Sequence, residues 1–461
     1  MVNSLAYHPA AAKVTAASSG GAASWFTLEP LDTSLQRRVS RRGARALATV
    51  LLAPASDPEQ QLRRAVTAAL RLNLSRWPPV VYPSPAYGTP YLRDSFWTVQ
   101  ALGSRRFALN VLATFANAER ADGDPPTMFV HAYRLPRYHD DESAALLLIW
   151  AWRNRTLYGI TPPRPALQRA LRYLLRRSQN GYLMTPAGTG GTWWDAYRFP
   201  TAGTLSYSQG LYAVALRCAQ RLRLRLPPHA VVDAERAYRA LYNPRLGYLP
   251  VGTQLPASDA SALTGEFLSL WLFRRPILSN AAVLSTFHHL VPFGAGFEVV
   301  ALPSGRFRGS PAMGSPGDYQ NGASWLLYDA LSIGAAGLHG LPDALSRLRA
   351  RLALEFRHGV ILHEYLQTDP SLPYYGTEPP FRNHFSWDTF VLVIDRVLRA
   401  HHIAHQGAHM LFGTACTGGL CPAQHALELS AGRTTKRSRA IGAPPLPAGA
   451  RVRPPRRTWC S

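Results

Sequence analysis

Across residues 62–401, apolar residues return every three or four positions in segment after segment, and stretches that alternate between apolar and polar residues are rare. A chain with that rhythm folds as an all-α body. The spacing predicts helices over residues 60–74, 95–118, 142–157, 165–178, 205–225, 231–241, 261–273, 280–290, 322–336, 342–356 and 386–401. That number is close to the twelve helices of an α/α toroid. No repeat of fixed length points to a solenoid, so a closed ring of hairpins is expected.

The connections constrain the chain as much as the helices do. Residues 78–93, 122–140, 181–201, 292–320 and 359–385 form long stretches rich in aromatic side chains. A rigid helical body carries such connections where they hold a site. The helices are therefore expected to be scaffold and the loops to be site.

The net charge of +23 would by itself suggest a nucleic acid or an anionic surface as partner. Much of it is local, however. Arg37, Arg38, Arg41, Arg42 and Arg45 lie near the start, and Arg433, Lys436, Arg437, Arg439, Arg451, Arg453, Arg456 and Arg457 near the end. The latter stretch also carries Pro444, Pro445, Pro447, Pro454 and Pro455, a composition that cannot bury a core. The expected layout is a basic, partly disordered segment at 1–59, one helical domain at 60–410 and a disordered basic tail at 411–461. Nucleic acid is disfavoured as a partner. No apolar run reaches the roughly 18 residues of a membrane span, so no membrane partner is expected. The cysteines are few, which fits a reducing cytoplasmic setting. Cys416 and Cys421 lack a second ligand pair at knuckle spacing, so no metal site is expected.

Several motifs sit on the connections. Tyr91-Leu92-Arg93-Asp94-Ser95-Phe96-Trp97 opens a helix. Asp94 suits an N-cap; alternatively Arg93 and Asp94 offer a donor fork and an acceptor to sugar hydroxyls, with Phe96 or Trp97 stacked on a sugar ring. Tyr138-His139-Asp140-Asp141-Glu142-Ser143 precedes another apolar helix. Acids there are favoured by the helix dipole, and they also form a dense cluster that makes Asp141 a candidate contact. His139 beside carboxylates reads as a hydrogen-bonding partner rather than a metal ligand.

The most informative run is Gly188-Thr189-Gly190-Gly191-Thr192-Trp193-Trp194-Asp195-Ala196-Tyr197-Arg198. It reads either as a core tryptophan pair with a capping acid or as a sugar-binding wall. A carboxyl against indole faces has its charged form destabilised, which suits a general acid, and Asp195 is the candidate. Further on, Pro316-Gly317-Asp318-Tyr319-Gln320-Asn321-Gly322-Ala323-Ser324-Trp325 brings amide, phenol and indole groups to a helix start. His363-Glu364-Tyr365 places a carboxylate beside an aromatic ring, and Phe385-Ser386-Trp387-Asp388 opens the last helix. Glycoside hydrolysis needs one acid to protonate the leaving oxygen and one carboxylate to activate water or attack carbon, a separation of about 6.5–9.5 Å between them implying inversion, and Glu364 is the candidate base.

In this order the motifs resemble the six-hairpin glycosidase superfamily, above all its trehalase, glucosidase and glycogen-debranching amylo-α-1,6-glucosidase branches, over about residues 85–400. An Arg-Asp-Thr/Ser-Phe run of debranching-type relatives is similar to Arg93-Asp94-Ser95-Phe96, and a Thr-Trp-Met-Asp-Ala run to Thr192-Trp193-Trp194-Asp195-Ala196. A Tyr-x-x-Gly-x-x-Trp run is similar to Tyr319-Gln320-Asn321-Gly322-Ala323-Ser324-Trp325. The resemblance implies an (α/α)6 barrel as the catalytic domain, no cofactor, an acid at Asp195, a base at Glu364 and inversion at the anomeric carbon.

The expected function is hydrolysis of an α-glucoside or related small sugar. Arg93, Asp94, Trp97, Asp141, Trp193, Trp194, Tyr319, Asn321, Trp325 and Trp387 would hold the carbohydrate. A glycoside phosphorylase and a non-catalytic carbohydrate-binding protein are the alternatives. The oligomeric state is left open by the sequence.

Overall fold

The helices of this chain alternate in character. α1 (Pro58–Asn73) buries Leu62, Ala65, Val66 and Ala69, the one-sided stripe of a helix lying on a core. α5 (Arg164–Arg176) turns Ala166, Leu167, Ala170, Leu171 and Leu174 inward, with Arg164, Arg172 and Arg176 on its other side. By contrast, every residue from Ser206 to Ala219 of α6 (Ser206–Arg221) is buried, as is every residue from Leu326 to Gly337 of α10 (Leu326–Leu338). A helix buried around its whole circumference has to lie inside a ring of others.

These come from a computed structural model that describes residues 57–76, 79–130, 135–138, 142–194, 198–301, 314–378 and 383–412. The remaining helices are α2 (Leu92–Leu102), α3 (Arg105–Asn117), α4 (Glu142–Tyr158), α7 (Ala230–Ala240), α8 (Thr264–Phe273), α9 (Asn280–His288), α11 (Ala344–Glu355) and α12 (Val391–Phe412), making twelve α-helices among the described residues. Contacts run in sequence from α2 through α4, α6 and α8 to α10. The 3-10 turn Trp387–Phe390, which leads into α12, packs on both α10 and α2 and closes the inner ring. Outside it, α3 and α5 pack on α4, α7 on α6, and α9 and α11 on α10. Two concentric rings of hairpins make an (α/α)6 barrel, the all-α fold expected from the periodicity and the motifs.

The residues expected to form one helix over 95–118 form two. Gly103 takes the left-handed conformation at φ 64° and its N–H bonds the carbonyl of Val99 at 3.1 Å, ending α2 before Ser104 starts α3. The apolar rhythm runs unbroken through this turn, so spacing alone conceals it. Elsewhere the inner ring is drawn tight by a pair of glycines. A methyl group on Gly265 of α8 would lie 2.3 Å from the α-carbon of Gly210 of α6, so neither helix accepts a side chain at that crossing.

Connections from an inner helix to the next outer one are short, whereas those from outer to inner are long: 74–91, 118–141, 177–205, 241–263, 289–325 and 356–390. The long connections therefore gather where the inner helices begin. Among their described residues they carry five two-stranded antiparallel ribbons, such as Leu74–Arg76 with Pro79–Val81 and Pro250–Gly252 with Leu255–Ser258.

The chain divides into two units, Met1–Arg399 and Ala400–Ser461. The ring of helices is built in the first; in the second, residues 400–412 are described and are helical. The arginine clusters at both ends, together with Cys416, Cys421 and Cys460, lie outside the described residues. Among the described residues no helix is long and apolar enough to cross a membrane.

Candidate active site

A cavity opens where the inner helices begin. The connection before α2 supplies Pro83, Tyr87 and Tyr91, and the first turn of α2 supplies Arg93 and Asp94. Trp193 enters from the connection before α6, Tyr319, Gln320 and Trp325 from the one before α10, and Glu364, Phe385 and Trp387 from the one before α12. Residues far apart in sequence thus meet because each occupies the same end of its hairpin.

The wall is a continuous sheet of rings. The Trp325 ring lies 5.3 Å from Trp193, 5.3 Å from Tyr319, 5.4 Å from Tyr365 and 5.6 Å from Trp387, centroid to centroid. Polar partners fix the indoles: Trp325 Nε1 donates to the Tyr319 carbonyl at 3.1 Å and Trp193 Nε1 to Ser261 Oγ at 3.1 Å. The Gln320 amide also donates to the Trp193 carbonyl, tying two connections together.

The charged groups are held from behind. Arg93 forms an ion pair with Glu142, the first residue of α4, both side chains being almost wholly buried, and its guanidinium lies 5.4 Å from the centroid of the Trp387 ring. Burial, followed by the charge of Glu142, pushes the Tyr207 hydroxyl well above the usual phenol range, so it stays protonated beside that carboxylate. Glu364 is 4% exposed and its carboxylate accepts from the Tyr87 hydroxyl at 3.1 Å. Asp388, next to Trp387 in sequence, is fully buried; burial first, then the charge of Glu355, raises it well above the usual carboxylate range, which favours its neutral form.

One such group has a measurable consequence. Asp259 accepts from the Ser261 hydroxyl that in turn accepts from Trp193, and burial raises its pKa to about 7 against the lowering effect of the Ser261 hydrogen bonds. The unfolded carboxyl titrates near 3.8. Between these values the unfolded chain has released its proton and the folded chain has not, so the stability present below about pH 4 is lost as pH rises toward about 7. Asp259→Asn, which mimics the protonated form, is expected to flatten this fall. Urea midpoints measured from about pH 4 to about pH 8 check it, and equal slopes in the two proteins would refute it.

The structure brings together seven of the side chains singled out from sequence: Arg93, Asp94, Trp193, Tyr319, Trp325, Glu364 and Trp387 line one cavity. Three others lie elsewhere. Trp97 packs in the barrel core, 4.7 Å from the ring of Phe390, Trp194 is fully buried against Trp193 at 3.9 Å, and Asn321 holds a turn by donating to the Gly314 carbonyl at 3.1 Å. Asp141 and Asp195 lie outside the described residues. Tyr87, Gln320 and Phe385 join the lining without having been singled out. Their signal in the sequence is the aromatic and amide density of the connections that carry them.

The fold and the position of the cavity define a class of protein, the (α/α)6 barrels with a pocket at the start of the inner helices. Within that class the chain is similar to the GH63 mannosylglycerate hydrolase of Thermus thermophilus in complex with glucose, at 15% identity over 72% of this chain and 99% of that one, with a TM-score of 0.53. It is similar to the same hydrolase in complex with Tris and D-glycerate at 14% identity, 72% and 99% coverage and a TM-score of 0.52. A glycosidase variant in complex with glucose gives 15% identity, 80% and 99% coverage and a TM-score of 0.50. At such identities the likeness is one of fold. The sequence matches no family model and no curated protein.

Proposed function

We propose that the protein is a glycoside hydrolase that cleaves an α-glucoside or a related small sugar with inversion, Glu364 activating water and Asp195 protonating the leaving oxygen. The observation that carries this reading is the Glu364 carboxylate, buried at the wall of an aromatic cavity and anchored by Tyr87. Indole and phenol faces bind the apolar faces of sugars, while Arg93 and Asp94 supply a donor fork and an acceptor for hydroxyls. Asp195 follows directly on Trp193-Trp194, the first of which lines the cavity. Inversion requires the two carboxyl groups to stand about 6.5–9.5 Å apart, leaving room for water.

Water is favoured over phosphate as the attacking group. Arg93 is the arginine among the described lining residues, and its charge is neutralised by Glu142. Because the fold neighbours were solved with glucose and with D-glycerate, glucosylglycerate and mannosylglycerate belong in the substrate panel beside trehalose and aryl α-glucosides. Purified protein is expected to release sugar from at least one of them without added phosphate, and proton NMR of the first product from an α-glucoside should show the β anomer. Release of the α anomer would replace inversion by retention. Sugar phosphate formed only with inorganic phosphate would make the protein a phosphorylase, and saturable binding with no product would make it a carbohydrate-binding protein.

A further inference from the structure

The stretch that carries Glu364 is held by other carboxylates at two successive backbone amides. The N–H of His363 donates to Glu355 Oε1 at 2.7 Å, and the N–H of Glu364 itself donates to Glu378 Oε2 at 3.0 Å. Both gripping residues are buried, at 1% and 2% exposure. Carboxylate acceptors on backbone N–H groups make charge-assisted bonds, roughly twice as strong as neutral ones.

Each grip is itself fixed. Glu355 also accepts from the His363 ring at 3.0 Å and from Arg351 at 2.8 Å; Arg351 donates to Asp329 at 2.6 Å, and Asp329 accepts from the Ser324 hydroxyl at 2.8 Å. The Ser324 backbone returns to the same stretch through paired bonds with Leu366 at 3.0 and 2.8 Å, closing a loop of contacts around Glu364. Glu378 is placed in the same way, because Gln367 exchanges backbone bonds with Gly376 and Thr377 at 2.9 Å, immediately before it in sequence.

We infer that Glu355 and Glu378 are positioning residues for Glu364, holding its backbone so that its carboxylate keeps one orientation in the cavity. The inference rests on the reading of Glu364 as the base. Neither carboxylate lines the cavity, so each acts through the peptide it holds rather than by touching substrate. Ordinary packing would not call for two buried carboxyl groups on adjacent amides, since each must lose its hydration to sit there.

Glu378 gives the cleaner test, because Glu355 also belongs to the buried ion network. In Glu378→Ala the amide of Glu364 loses its acceptor. Misplacement of a reacting group by about 1 Å can cost about 10²-fold. A drop in kcat of that order is expected, with KM within about twofold of wild type because the sugar-contacting side chains are untouched. Glu378→Gln keeps an oxygen acceptor and is expected to restore most of kcat. A merely structural role would instead lower the amount of folded protein and leave kcat per folded molecule unchanged.

Hydrogen exchange of the peptide covering residues 362–368 gives a second readout that needs no substrate: it should quicken in Glu378→Ala and stay slow in Glu378→Gln. Unchanged exchange in Glu378→Ala, or full kcat in that variant while Glu364→Gln is inactive, overturns the clamp alone. If Glu364→Gln itself keeps turnover, the assignment of the base falls first, and the two failures are thereby told apart.

Discussion

Glu364→Gln is expected to lower kcat for glycoside hydrolysis by about 10²–10⁴-fold, the usual contribution of a positioned general base. The amide is nearly isosteric with the carboxylate and still accepts from the Tyr87 hydroxyl, which is 3.1 Å from the carboxylate in the native protein. Folding and sugar binding should therefore survive. KM should move little, because the lost interaction forms only as water is deprotonated in the transition state. Replacement by Ala should open a gap where the proposed base stood, and azide, which needs no base, should restore part of the turnover. Full kcat in Glu364→Gln would move the base to another carboxylate. Asp94 is the next to examine, since it lines the same cavity.

The second large effect concerns stability. Arg351 is fully buried between Asp329 at 2.6 Å and Glu355 at 2.8 Å. Arg351→Met is expected to destabilise the barrel by about 3–5 kcal/mol, the range for breaking a buried pair by removing one partner. The lost attraction is the smaller part of this; the larger part is that two carboxyl groups remain in the core without the guanidinium that pairs with both. Their pKa values are shifted in opposite directions. Burial holds Asp329 above the usual carboxylate range despite Arg351, whereas for Glu355 burial is outweighed by Arg351 and His363, which keep it below. Adding Asp329→Asn to Arg351→Met should therefore recover part of the loss, and urea denaturation of the two proteins measures it. A single variant as stable as the parent would show that the network contributes nothing net.

Much of this architecture is legible in the sequence because it repeats locally. Helical spacing marks the helices themselves, as over 205–225 where α6 lies, but burial all round, as from Ser206 to Ala219 with Gln209 and Arg217 among them, shows only in the fold. Aromatic density marks which connections build the cavity, and the Trp193 run and the Glu364 run both reach it. What spacing misses is equally specific. The turn at Gly103 interrupts no apolar pattern, so α2 and α3 read as one helix. Trp97 and Trp325 are alike as residues, yet one fills the core against Phe390 and the other faces the cavity. An indole suits both places, and only the direction in which its helix end points separates them.

The buried charges belong wholly to the tertiary structure. Glu142 stands at a helix start, where the dipole already accounts for an acid, and nothing near it in sequence announces Arg93, 49 residues away, as its partner. Glu378 reaches the amide of Glu364 only because residues 376–377 pair with Gln367. The sequence by itself determined the ring of helices and the loops that bear the chemistry, since periodicity and composition act over a few neighbouring residues. The tertiary structure alone decided which side chains meet and which carboxylate is held by which amide, because those contacts join hairpins whose separation in the chain bears no relation to their distance in the barrel.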